Sequence, residues 1–245
     1  MTARAGEVGA RVLTKVANAR PGETRAMLWA FGYFFCLLCS YYILRPLRDE
    51  MGISGGVDKL PWLFTVTFLV MLLAVPSFGW AVARFTRRRL IPITYRFFAM
   101  NLVLFFVLLR AAEDDPVVAR AFFVWVSVFN LFVVSVFWSF MADIFSTEQG
   151  RRLFGFIAAG GSVGAILGPS ITAALVGPLG AVNLLLVSAA LLEAAVLCVR
   201  RLLRGPAGEA APAEGPDREG RAIGGGLLAG ITEVARSPYL LGICG

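Results

Sequence analysis

Arg45 and Arg48 stand one helical turn apart near the end of the first long apolar stretch, just after Tyr41 and Tyr42. A guanidinium is a planar fork of donors that matches carboxylate or phosphate oxygens two at a time, and i, i+3 spacing puts both forks on one helix face. The tyrosine rings can stack on a base, and Pro46 removes a backbone donor from the helical ladder and can turn the arginines towards a cavity. On this reading the four side chains form a site for an organic anion. A second reading is interfacial. Arg45 follows Arg25 by about 20 residues, roughly 30 Å of helix, where arginines snorkel to the headgroups beside Asp49 and Glu50 and tyrosines join the aromatic belt.

Deeper in the apolar stretches polar groups are few: Asn101, Ser127, Asn130, Ser135, Ser139 and Glu193. A carboxylate in mid-span is costly and is a functional candidate by default, here for coupling. Glu193 is also flanked by Ala189, Ala190, Ala194 and Ala195, which suit a tight helix contact, so a packing role stands beside it. Asn130 lies near the stripe of Ser135 and Ser139 and is a candidate for substrate binding, with helix-to-helix hydrogen bonding as the plainer alternative. The chain has no His, which removes the commonest general base and the usual partner of a nucleophile. Cys36 and Cys39 form a lone C-x-x-C without further ligands for a metal. Residues 160–165 lack the Lys and Ser or Thr of a phosphate loop. The expectation is a protein that is not an enzyme and has no cofactor and no metal.

The elements that position these residues are membrane helices. Hydrophobic residues make up 58% of 245 residues and charged ones 16%, and the mean hydropathy is +0.75, too apolar for a soluble globule of this size. Six stretches, 27–44, 61–83, 91–109, 117–142, 153–176 and 181–198, are long enough to cross a hydrocarbon core of about 30 Å. Arg and Lys cluster before the first, between the second and third, between the fourth and fifth, and after the sixth, whereas Glu113, Asp114 and Asp115 follow the third. Basic residues are retained on the cytoplasmic side, so both ends of the six-span unit are expected there. This alternation accounts for the net charge of +7 without a nucleic-acid partner.

The fold class expected is all-α, a polytopic bundle of six transmembrane helices, with the lipid bilayer as its surroundings. Residues 1–26 read as a basic cytoplasmic segment, 27–203 as the six-helix bundle and 204–226 as a Pro- and Gly-rich cytoplasmic linker. Residues 227–245 resume a helical apolar period, the start of a second bundle that is cut short. No cleavable leader is visible.

Residues 79–89 resemble motif A of the major facilitator superfamily: Gly79, Arg84, Arg87 and Arg88 match in register, while Ala83 and Thr86 replace its Asp and second Gly. The resemblance implies a cytoplasmic latch between two six-helix bundles, for which Asp143 is the carboxylate expected to pair with Arg84. Gly155, Gly164, Gly168 and Pro169 resemble motif C of antiporters in that superfamily, in which small residues let helices approach closely. Tyr41, Ile43, Leu44, Arg45, Leu47, Arg48 and Asp49 resemble the first-span signature of the ATP/ADP translocases, and residues 145–156 look like a loop and helix of related bacterial nucleotide exchangers. These resemblances imply a 3+3 helix repeat and a secondary-active, alternating-access transporter in a bacterial inner membrane. They further imply a small-molecule substrate, nucleotide or organic anion, bound by Arg45, Arg48, Tyr41, Tyr42 and Asn130. The alternatives are a transporter of another solute, such as a drug, or a membrane module that transports nothing.

Overall fold

Six long helices carry the described residues of the computed structural model, which are 19–20, 22–54, 56, 59–84, 87–111 and 115–205, with backbone alone at 54, 78–84 and 87–89. They are α1 (Thr24–Ser54), α2 (Leu60–Arg84), α3 (Arg87–Ala111), α4 (Pro116–Ile144), α5 (Thr147–Leu179) and α6 (Leu184–Leu203), with a 3-10 turn at Ala181–Asn183 before the last. All six are long and apolar enough to cross a membrane, and no strand occurs among the described residues. Of the expected segments, 1–18 and 206–245 lie outside the described residues.

Local chemistry explains where the helices start. Asp115 accepts from the Val117 backbone N–H at 2.8 Å, and Pro116 sits at the first helical position of α4, where a missing N–H leaves no bond unmade. Ser146 and Gln149 close a reciprocal capping box at the start of α5.

The first three helices and the last three interlock. α1 packs most extensively on α5 and α6, while α4 packs on α2 and α3, and α1 and α4 meet at the centre. Between them lies an aromatic core: Phe34 stacks on Phe137 at 4.1 Å between centroids, and Trp125 stacks on Phe129 beside Phe98. Two further polar ties cross the core. The buried Tyr33 and Tyr95 hydroxyls share a hydrogen bond, and those of Ser40 and Ser188 approach to 2.6 Å, each also within reach of the other's backbone carbonyl.

Several boundaries differ from the sequence reading: α5 starts at Thr147 rather than at 153 and α6 ends at Leu203 rather than at 198, and the largest change is at the end of the first helix. The first helix does not stop at residue 44 but runs on to Ser54 through Pro46, so Arg45, Arg48, Asp49 and Glu50 are helical, not part of a loop. Pro46 leaves the Tyr42 carbonyl without its helical donor; beside it, the Thr172 hydroxyl of α5 lies 3.2 Å from the Ile43 carbonyl and can donate to it.

Candidate functional site

The last three turns of α1 hold both arginines, facing differently. Arg48 turns towards α4, where its Nη1 lies 3.4 Å from the Ser127 hydroxyl and its guanidinium stands 4.9 Å over the Phe123 ring. Its Nε and Nη2 both donate to one oxygen of Asp49, at 2.9 and 2.6 Å. Arg45 is half exposed, 5.7 Å over the Tyr42 ring, with its Nε 4.0 Å from the other Asp49 oxygen. One carboxylate thus lies between two guanidiniums, a position that an anionic ligand could take by displacing it. Tyr41 is buried and sits edge-on to half-buried Tyr42. Asn130, half-buried on α4, lies one turn along from Ser127 and so shares its face.

Glycine sets the contact between α1 and α5. The buried stripe of α5 runs through Gly150, Leu153, Ile157, Gly160, Gly161, Gly164, Gly168 and Thr172. A Cβ on Gly160 would stand 2.5 Å from the Phe31 carbonyl oxygen. One on Gly164 would stand 2.6 Å from the Phe35 oxygen and 2.9 Å from the Cys39 nitrogen, and one on Gly168 would stand 2.6 Å from Tyr42 Cβ. Real Cβ atoms do not come so close, so the helix backbones touch only because these positions are glycine. Gly155 belongs to another face: nine residues are about two and a half turns, and a Cβ there would meet open space. Pro169 is exposed.

The same two helices are clamped at their first turns. Arg152 donates from Nη1 and Nη2 to the Glu23 carboxylate at 3.1 and 3.0 Å, joined by Gln149 at 3.1 Å and the Arg20 backbone N–H at 2.8 Å. Burial opposes ionisation of Glu23, but these donors outweigh it and hold its carboxyl at about 2. A lowered pKa stabilises the fold above the ordinary carboxylate range, and the contribution is lost as pH falls through the folded value.

Glu193 of α6 is not alone. Arg96 of α3 approaches it at 3.6 Å, each side chain 48% exposed, among the exposed Ile93, Phe97, Met100 and Leu197. Arg96 escapes a reading of the sequence because it adjoins the basic start of its span; a charge six residues inside an apolar helix was the available signal. Of the motif A residues, Gly79, Arg84, Arg87 and Arg88 have no described side chains, while Asp143 is half-buried in the last turn of α4.

No curated protein and no solved structure shows a significant match to the chain. The family model of the Major Facilitator Superfamily matches residues 26–245, which takes in all six helices and the glycine seam. A membrane bundle of six helices in two interlocked triplets, matched over nearly its whole length, belongs to the major facilitator superfamily, whose members are membrane transporters.

Proposed function

We propose that this transporter exchanges organic anions, nucleotides among them, by rocking its six-helix bundle against a second of the same kind in a bacterial inner membrane, with the start of α1 and the end of α6 cytoplasmic. The observation that carries the reading is Asp49 lying between Arg45 and Arg48 on a half-exposed face beside Tyr42. The Asp49 carboxylate there stands in for the substrate's anionic group, and an entering phosphate exchanges with it. Arg45 lies about 30 Å along α1 from its start, so the pair recruits the anion at the far mouth of the path, with Tyr41 and Asn130 further in.

Labelled nucleotide uptake into vesicles tests this. Charge-assisted hydrogen bonds contribute about 1.5–3 kcal/mol, so Arg45→Ala should raise the half-saturating nucleotide concentration roughly ten- to hundredfold. Arg45→Lys should recover only part, since an ammonium lacks the fork. Unchanged affinity in Arg45→Ala and Arg48→Ala at normal membrane abundance would leave both as interfacial anchors. Wild-type vesicles that take up a drug but no nucleotide would replace the substrate class.

The latch assignment takes in Gly79 near the end of α2 and Arg87 and Arg88 at the start of α3, and pairs Arg84 with Asp143, which supplies the carboxylate that Ala83 lacks. Arg84→Asp and Asp143→Arg should each slow exchange, and the charge-swapped double variant should restore it. A coupling below about 0.5 kcal/mol in the cycle would separate the two residues.

A further inference from the structure

Between α2 and α4 the two helices part at the end nearest the α3–α4 connection, leaving a groove of about 620 Å³ floored by Gly52 of α1. Its walls are apolar, Val66 and Val70 of α2 facing Val124 and Val128 of α4, with Trp62 and Trp125 on either side. Two cations, Lys59 just before α2 and Arg120 near the start of α4, line the same groove, and among the described residues no carboxylate lines it. Neither cation forms an ion pair among the described residues.

The dimensions and the charge together select an occupant. Val70 lies eleven residues beyond Lys59 and Val128 eight beyond Arg120, so the walls run about 12–16 Å inward from the cations, the depth of one leaflet of a core about 30 Å thick. A ligand that fills it carries an anion at the interface and a hydrocarbon tail of leaflet length. Trp62 is 70% exposed at the rim, where an indole sits at headgroup level. We propose that this groove seats an anionic glycerophospholipid of the adjoining leaflet, its phosphate on Lys59 and Arg120 and an acyl chain between α2 and α4. The fold provides the space because α2 and α4 lack the glycine seam that joins α1 to α5.

The test is fluorescence quenching in the reconstituted protein carrying Trp29→Phe, Trp80→Phe and Trp138→Phe, which leaves Trp62 and Trp125 as reporters. Vesicles of phosphatidylcholine contain an equal mole fraction of either brominated phosphatidylglycerol or brominated phosphatidylcholine. Brominated phosphatidylglycerol should associate more tightly, each cation contributing about fivefold. Lys59→Gln and Arg120→Gln should each remove about that factor, and the double variant should show no headgroup preference. Ala121→Phe, which narrows the groove and keeps both cations, should also abolish the preference. A preference that survives Ala121→Phe would place the lipid on the outer surface and overturn the seat. Equal quenching by both lipids, or a preference that survives loss of both cations, would overturn it as well. Relief of quenching by glycerol phosphate or inorganic phosphate would reassign the cations to a soluble anion. Melting temperatures of the variants within a few degrees of the parent identify loss of binding as distinct from loss of fold.

Discussion

Gly164→Ala should destabilise the bundle by about 1–3 kcal/mol, the usual cost of an overpacked core, even though alanine is the better helix former. The added Cβ meets the Phe35 carbonyl oxygen and the Cys39 nitrogen of α1, both backbone atoms. No side-chain rotation relieves the contact, so α1 and α5 must separate, and the nearby Thr172 bond to Ile43 opens with them. Gly155→Ala is the internal control: nothing lies within 4 Å of its Cβ, and helix propensity alone favours alanine there by up to about 1 kcal/mol. Denaturation of the purified protein in detergent reads both. Similar losses at the two positions would mean that the glycines act through backbone flexibility and not through close approach.

Arg96→Leu or Glu193→Leu alone should cost about 2.5–3.5 kcal/mol, because each leaves an unpaired charge on an apolar surface inside a span. The pair, 3.6 Å apart, compensates charge across α3 and α6. Replacing both by leucine should therefore cost less than either single change. A double-mutant cycle on unfolding measures the coupling, and additive single effects would dissolve the pair. The same variants divide the two roles proposed for Glu193. Exchange that survives in the Leu/Leu protein assigns the carboxylate to packing, whereas a folded protein that has lost the pH dependence of exchange assigns it to coupling.

The helices were legible in the sequence because a span is written in one continuous apolar run, and the ends were not. The run from Arg45 to Glu50 fell outside the first apolar stretch because it is charged, yet Arg45 and Arg48 meet Asp49 along the helix itself. The seam was half legible. Gly164 and Gly168 are four apart and share a face, but Gly155, spaced as the motif has it, falls on another, which only helical phase exposes. Contacts between distant residues were not legible at all. Arg96 and Glu193, like Ser40 and Ser188, are brought together by helix order in space, and no local pattern encodes that order. For the anion site, residue types and spacing marked Arg45 and Arg48, but the turn of Arg48 on to Phe123 and Ser127 depends on where α4 stands.

The interlocked triplets impose a schedule on biogenesis. α1 leaves the ribosome before α5, yet the face it presents to Gly160, Gly164 and Gly168 has its partner there, as far along the chain as Thr172 is from Ile43, 129 residues. At about 5–20 residues per second, that face waits roughly 6–26 seconds in the insertion machinery or in lipid. The waiting surface offers little that a lipid chain cannot satisfy, and the Ile43 carbonyl near Pro46 gains its hydroxyl only when Thr172 arrives. Arg152 precedes those glycines in the chain, so the Glu23–Arg152 clamp at the membrane edge can tie α1 to α5 as soon as the start of α5 emerges.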